Sequence, residues 1–352
     1  MRISSSPGVL TKILCHLCVD GPLALRRLLF VSRALYYAAI SEVSLWATIS
    51  FDAEFFSHFR GRSIEQAKRF TEQSLRRSRP YPLRIRILCD DAFDSGLLAG
   101  PLQALRNPKY KGFKRCASLI WYHDDWDSAR VRRIVALLPK ELPSLQQLSL
   151  SSLKDPIDGP QFPNCPALEK VGMFTHYETH PAFWGTNFAH VTNLSFGNSS
   201  TRGWANFDIA TLSLFPTLRE LTLFTVGTGA PEGVESRLSI QFQYLQILRV
   251  CGDIPPTVLS RLVAPALQEL HIKANTMHRT SIATLWYRFE PLCQHLYAHL
   301  PEAVSAEEPH WAAAFTLLVE KCTRLETLHI SKWMEEGCQE FIGHNNVVLH
   351  IL

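Results

Sequence analysis

Hydrophobic and polar positions alternate in a phrase that recurs along the C-terminal two thirds of the chain. It is clearest at Leu218-Arg219-Glu220-Leu221-Thr222-Leu223, with apolar residues at relative positions 0, 3 and 5. The same spelling is read at Cys116/Leu119/Trp121, Leu145/Leu148/Leu150, Leu168/Val171/Met173, Val191/Leu194/Phe196, Leu245/Leu248/Val250, Leu267/Leu270/Ile272 and Leu325/Leu328/Ile330, eight copies in all. Between positions 3 and 5 the period is two, so both side chains leave one face of a short strand and their neighbours leave the other. Successive first positions are 29, 23, 23, 27, 27 and 22 residues apart, and a last interval of 58 has room for one degenerate copy. Such spacing predicts a stack of strand-bearing repeats, a solenoid.

The segments between the phrases complete the rhythm. Residues 128–138, 207–214, 257–263 and 312–322 carry apolar residues at helical spacing, and each precedes a copy. Pro143, Pro166, Pro216 and Pro265 stand two residues before the next first position, where they stop a helix, and Asp253 before Pro255-Pro256 marks a helix start. Upstream, Pro82-Leu83-Arg84-Ile85-Arg86-Ile87 alternates strictly and is expected to be the solenoid's first strand, followed by a helix over 94–106. Residues 51–81 predict a helical connector with Ile64, Ala67, Phe70 and Leu75 as a broken apolar stripe. Its end carries Arg76, Arg77 and Arg79, cations suited to a helix C-terminus. An insertion over 277–310 contains a predicted helix at 282–300, and the apolar tail Val347-Val348-Leu349-His350-Ile351-Leu352 is expected to pair as the last strand.

The N-terminal 50 residues read differently, as three short helices with a very small core. Pro7 opens the first, with Val9, Leu10, Ile13, Leu14 and Leu17 on one face. Asp20 starts the second, with Leu25, Leu28, Leu29 and Val31 as its stripe, and the third runs over 33–40 into Leu45-Trp46.

Two resemblances attach to these residues. The phrases are similar to the strand segment of leucine-rich-repeat proteins, L-x-x-L-x-L-x-x-N/C, although only Asn198, Cys251 and Asn275 come near the closing Asn or Cys, so the repeats are irregular. The N-terminal segment resembles the F-box pattern, roughly P-x-E-I-L-x-x-I-F-x-H-L, then V-C-R-x-W, then L-W. Pro7, Val9, Leu10, Ile13, His16 and Leu17 match its first part, Val31 and Arg33 its second, and Leu45 with Trp46 its third. Ser6 and Gly8 stand where the family often has a leucine and an acid, and Leu35 or Tyr36 where a tryptophan is common. The fold expected is therefore an α/β repeat: an F-box-like three-helix module over 1–50, a helical connector over 51–81 and an irregular leucine-rich-repeat horseshoe over 82–352. The resemblance implies a substrate-recognition subunit of a Skp/cullin/F-box-type ubiquitin ligase. Pro7, Val9, Leu10, Ile13, Leu14, Leu17 and Val31 would meet a Skp-family adaptor, which carries the chain to a cullin ligase. A doubly wound α/β domain, and an N-terminal segment that only caps the solenoid, are the plainer alternatives.

Composition narrows the partners. At 352 residues with 46% hydrophobic content the chain can fold throughout, and a formal charge of +4 is too small to argue for nucleic acid. Nine cysteines without regular spacing suggest a reducing compartment. Lys12 and His16 interrupt the apolar run over 9–19, so no signal peptide is read, and no stretch approaches the roughly 20 apolar residues of a membrane span. A cytoplasmic or nuclear location is expected.

Candidate chemistry is sparse. Cys15-His16-Leu17-Cys18 lacks a second ligand pair at zinc spacing, and Cys293 with His295 and His299, four apart on one helical face, lacks a further ligand. Gly227-Thr228-Gly229-Ala230-Pro231-Glu232-Gly233 imitates a dinucleotide loop with its last glycine one residue late. The acids of His123-Asp124-Asp125-Trp126-Asp127 suit a loop that caps the next helix. Basic residues at 109–115 and at Arg130, Arg132 and Arg133 suit solvent, phosphate or an acidic partner. No nucleophile, base and orienting acid come from one repeating face, so no enzyme activity, catalytic residue, cofactor or metal is expected. What remains is the concave face, where Tyr122, Phe174, Phe224, Arg249, His271, Lys273 and His329 are large or charged and would hold a protein target. The alternative function is a repeat scaffold for protein or nucleic acid that does not engage the ligase.

Overall fold

A computed structural model describes residues 14, 32–60, 62–89, 95–123, 136–151, 162–175, 188–198, 209–225, 239–252, 254, 256–273, 294–299, 324–330 and 347–351. The chain divides into two compact units, Met1–Leu168 with Ala182–Asn187, and Glu169–Pro181 with Phe188–Leu352. Both are α/β, built on parallel strands that follow one another in chain order.

In the first unit the strands are β1 (Thr48–Phe51), β2 (Leu83–Cys89), β3 (Cys116–His123) and β4 (Gln147–Ser151). β2 lies where the strict alternation predicts it: Leu83, Ile85 and Ile87 are fully buried, Arg84 is exposed and Arg86 and Leu88 are half-buried. It is not the first strand, however. β1 precedes it, with Ile49 opposite Ile85 and Phe51 opposite Ile87, because Ile49 and Phe51 bury their side chains on the same inner face.

The connector forms the helices Ala53–Phe59 and Ile64–Arg77. Asp52 caps the first by accepting from the Phe55 N–H at 2.9 Å. Phe55 is the centre of a ring cluster, 5.0 Å from Phe51 and 4.8 Å from Phe59, and Phe59 is 5.7 Å from Phe70. The apolar stripe expected on the second helix is corrected at Ile64, which is 49% exposed. The buried face uses small residues instead: Thr71 and Ser74 donate their hydroxyls back to the carbonyls of Ala67 and Phe70 at 3.1 and 3.2 Å. The Ser95–Arg106 helix approaches closely over this face, since a Cβ on Gly100 would sit 2.7 Å from the Ile64 carbonyl oxygen.

Arg115 also departs from expectation. Instead of joining a solvated basic cluster, its guanidinium donates to the carbonyls of Ser78 (3.1 Å), Tyr81 (3.0 Å) and Leu75 (3.2 Å) and to the Ser78 hydroxyl (3.2 Å). It closes the C-terminus of the Ile64–Arg77 helix, where unpaired carbonyls and the helix dipole favour a cation. Tyr110 and Phe113 of the same stretch are buried.

The second unit contains β5 (Lys170–Thr175), β6 (Asn193–Asn198), β7 (Glu220–Thr225), β9 (Ile247–Cys251), β11 (Glu269–Lys273), β12 (His295–His299), β13 (Thr327–Ile330) and β14 (Val348–Ile351). Two short strands, β8 (Ile240–Gln241) and β10 (Leu262–Val263), pair with each other outside that sheet. Positions 3 and 5 of successive phrases meet in register: Leu194, Leu221, Leu248, Leu270, Leu296 and Leu328 form one buried row, and Phe196, Leu223, Val250, Ile272, Ala298 and Ile330 the next. The carbonyl at position 1 accepts from two N–H groups of the following strand, as Thr192 does from Arg219 and Glu220 and Arg219 does from Gln246 and Ile247. This repeated pairing holds the register.

The prolines serve a turn as well as a helix stop. The N–H of Leu218 donates to the Phe215 carbonyl and that of Leu267 to the Ala264 carbonyl, which places Pro216 and Pro265 second in four-residue turns. Phe215 and Ala264 are buried while the prolines are exposed, so each turn drops an apolar side chain into the core before the strand begins. The connecting elements here are short: a 3-10 helix at Ile209–Leu214 and a single helical turn at Pro256–Leu259, where longer helices were expected. The helix expected over 282–300 is likewise corrected, because 295–299 is a strand between β11 and β13. Cys293, Leu296 and Ala298 supply the spacing of the degenerate copy for which the long interval had room. β14 pairs with β13, as expected of the C-terminal apolar run. The segments 128–135 and 312–322 lie outside the described residues. Among the described residues no helix is long and apolar enough to cross a membrane.

Candidate functional site

The face of the second unit's strands opposite the buried rows carries positions 2, 4 and 6. Reading position 4 across the sheet in register gives Gly172, Ser195, Thr222, Arg249, His271, Tyr297, His329 and His350. Parallel strands place equivalent residues about 4.8 Å apart, and four rings here close up into a continuous stack. His271 and Tyr297 lie 4.0 Å apart at 1°, Tyr297 and His329 4.2 Å at 15°, and His329 and His350 4.3 Å at 9°. Face-to-face rings at this spacing expose their edges, which on a histidine are the ring nitrogens.

Polar groups flank the stack. His271 Nε2 lies 3.2 Å from Glu269 Oε2, and His295 Nδ1 lies 2.7 Å from the Thr327 hydroxyl. Arg249, next in the row, is paired with Glu220, which also accepts from Asn193 Nδ2 at 2.6 Å. Burial lowers the pKa of His271, the hydrogen bond it donates to Glu269 opposing this and the Arg249 charge adding to it. Burial lowers that of His329 also, followed by the charges of His350, His271 and His295. Protonation of its neighbours therefore works against protonation of His329.

At position 6, Phe174, Gly197 and Phe224 are in register. The backbones of β5 and β7 are about 9.6 Å apart, yet the rings of Phe174 and Phe224 stack at 5.6 Å and 14° because both lean over the strand between them. Gly197 makes this possible: a Cβ there would overlap Phe224 Cε2 and Cζ and stand 2.6 Å from Cδ2. Cys251 follows in the row with its pKa raised by burial, and Lys273 is exposed.

Of the seven residues expected on the target face, Phe174 and Phe224 touch, His271 and His329 are joined through Tyr297, Arg249 adjoins His271 in register, and Lys273 stands one step along the same strand face. Tyr122 belongs to the first unit, 45% exposed and opposite Leu88 on β2. Tyr297, His350, Glu220, Asn193 and Gly197 were not singled out from sequence. Tyr297 occupies position 4 of the degenerate copy and His350 the matching place in the last strand, so extending the phrase to those strands finds both.

Of the residues expected to meet an adaptor, Pro7, Val9, Leu10, Ile13, Leu17 and Val31 lie outside the described residues. Leu14 is described and fully buried, in a cluster with Ala39, Leu45 and Trp46 against which Leu35 and Ala38 pack. The Arg33–Ser41 helix in that cluster is capped by Ser32, which accepts from the Leu35 N–H at 3.1 Å. The Trp46 indole N–H donates to the Ala39 carbonyl at 2.9 Å, and the Arg77 guanidinium lies 4.3 Å from the Trp46 ring centre.

The other candidate sites resolve as follows. His295 and His299 are four apart on a strand rather than on a helix, so their backbones are about 13 Å apart, too far to share a metal ion. Cys293, Cys15, Cys18, the 227–233 loop and 124–127 lie outside the described residues. Among the described residues no group of three or more His, Cys, Asp or Glu could hold a metal. Cys116 and Cys165 are buried free thiols, pushed up to about 12 by burial.

Comparison with known proteins adds little to this geometry. Neither a scan of protein-family models nor a search of curated proteins gives a match. Among solved structures, a crystal structure of a Bacteroides fragilis protein from a structural genomics consortium aligns at 14% identity and a TM-score of 0.29. The alignment covers 53% of this chain and 66% of that one, and a likeness of this size assigns neither fold nor function.

Proposed function

We propose that the chain is a non-catalytic recognition subunit that holds a protein target on the polar and aromatic face of its repeat strands. The N-terminal segment would dock a Skp-family adaptor of a cullin ubiquitin ligase. The observation that carries the target-binding part is the assembly of Phe174, Phe224, Arg249, His271, Lys273 and His329 on one strand face, extended by Tyr297 and His350. Aromatic rings and arginine on a rigid sheet supply contact area at small entropic cost, which is what interface centres use. The ligase part rests on the F-box resemblance of 1–50. In this reading the chain's contribution to chemistry is proximity alone, bringing a target lysine to a conjugating enzyme bound elsewhere in the assembly. The ligase reading places the protein in the cytoplasm or nucleus.

The second reading, a repeat scaffold that does not engage the ligase, is favoured by one observation: Leu14 is spent in the segment's own core rather than offered to a partner. Capture of the full chain on a purified Skp-family adaptor with cullin decides between them. The ligase reading expects capture of the native chain and its loss in Val9→Asp/Ile13→Asp with the circular dichroism spectrum unchanged. Failure of the native chain to be captured removes that reading and leaves the scaffold.

A further inference from the structure

The strand face between β9 and β14 is rich in imidazoles, the side chain whose charge can be switched by a proton. It holds two permanent cations, Arg249 and Lys273, and four described imidazoles, His271, His295, His329 and His350. His299 stands opposite Lys273 in register, and the carboxylates that face the group are Glu269 on β11 and Glu220 on β7. Both carboxylates are engaged, Glu220 by Arg249 and Asn193 and Glu269 by His271. With neutral imidazoles the two cations and two carboxylates cancel. With the four described imidazoles protonated the same surface carries about four positive charges.

We infer that the His271–Tyr297–His329–His350 stack is a proton-linked docking surface for an acidic segment of a protein partner. The stack sets successive rings about 4 Å apart, so His329 and His350 are direct neighbours at 4.3 Å while His271 stands on the far side of Tyr297, two ring spacings from His329. In an extended acidic peptide laid across the strands every second carboxylate leaves the same face, about 6.8 Å apart, which is comparable to two ring spacings and lets alternate carboxylates reach His271 and the His329–His350 pair. Like charges so close oppose one another, so the free protein takes up protons reluctantly; carboxylates laid along the row relieve that repulsion, and binding and protonation favour each other. A phosphate polymer fits less well. Its unbroken charge would run past Glu220 and Glu269, whereas a short acidic segment sits on the rings alone, and a net charge of +4 provides no wider basic stripe.

This inference rests on the reading of this face as the target surface and names the chemistry of the target. The test is fluorescence anisotropy of a labelled poly-aspartate peptide with the full chain at constant ionic strength, at pH 7.5 and 5.5, where the peptide stays ionised. Affinity is expected to rise at least tenfold on acidification, about tenfold for each imidazole whose pKa rises by one unit on binding. His329→Gln/His350→Gln is expected to remove most of that rise. Should the double variant misfold, His350→Gln alone, in the last strand, and proton NMR titration of the native imidazoles with and without peptide supply the same answer. Binding that does not change with pH, no binding at pH 5.5, imidazole titrations unmoved by the peptide, or a single-stranded RNA of equal charge binding more tightly than the peptide would each overturn the inference. Adaptor capture is measured on the same preparations. Loss of the peptide effect with capture intact overturns this inference alone, and loss of capture with the peptide effect intact removes the ligase reading alone.

Discussion

Replacing Gly197 with alanine tests whether the aromatic pair on the strand face depends on the gap beneath it. The new methyl group would collide with the outer edge of the Phe224 ring, so the ring must leave its stack with Phe174. Losing an aromatic pair costs about 0.5–1.5 kcal/mol, and a ring forced from its rotamer costs about 0.5–1.5 kcal/mol more. Against this, alanine recovers about 0.5–1 kcal/mol of the backbone entropy that glycine loses in a strand. The net expectation is a destabilisation of about 1 kcal/mol. In a Phe224→Ala background the obstruction is gone and only the gain remains, so the same substitution becomes stabilising by about 0.5–1 kcal/mol. The sign reversal corresponds to a coupling of about 1.5–2 kcal/mol, well above the roughly 0.3–0.5 kcal/mol by which independent sites depart from additivity. Urea unfolding of the four proteins measures it, compared through the transition that Phe224→Ala itself shifts, since a chain of two units need not unfold in one step. Equal destabilisation by Gly197→Ala in both backgrounds would refute the reasoning, because the ring would then not be what the glycine accommodates.

Two further outcomes follow from the same contacts. Arg115→Met removes four hydrogen bonds from the end of the Ile64–Arg77 helix and should destabilise the first unit by about 3 kcal/mol in a urea melt, with Arg115→Lys recovering less than half because an ammonium cannot reproduce the fork. His271 and His329 have pKa values lowered by folding, so the unfolded chain binds more protons in that range; stability is full above about pH 6.5 and is lost as pH falls below it. Thermal melts from pH 7.5 to 5.5 should show that decline, and His271→Gln/His329→Gln should flatten it; a native melting temperature that rises on acidification would contradict the assigned direction.

The strands are legible in the sequence because burial on one face imposes a period of two wherever it occurs. All eight phrases, the alternating run at Leu83–Cys89 and the C-terminal tail became parallel strands. The third N-terminal helix and the helical connector were legible too, because their signals lie within a few residues of one another. Short-range signals failed where two periods fit the same letters. His295-Leu296-Tyr297-Ala298-His299 suits a helix by its i,i+4 histidines and a strand by Leu296 and Ala298, and the deciding partner, the Gln268 carbonyl that accepts from Gln294 and His295, is 26 residues away in sequence from the nearer donor, Gln294. β1 was missed for a similar reason, since Thr48–Phe51 becomes a strand only by pairing with β2.

Sequence alone thus determined which side chains face the core and, by exclusion, which row of residues was available to a partner. It also carried the F-box resemblance, on residues that local spacing can match. Tertiary structure alone decided what those available residues do to one another. The rings of His271, Tyr297, His329 and His350 come from four strands spread over 80 residues and meet only because parallel register superposes their fourth positions. Arg115 turns inward only because a helix 38 residues earlier, ending at Arg77, leaves carbonyls unpaired beside it. Phe174 and Phe224 touch only because a third strand places a glycine between them. A one-dimensional pattern records the face a residue takes, since that is set by its own backbone; its neighbours across a sheet are set by hydrogen bonds between distant segments, and these no local period encodes.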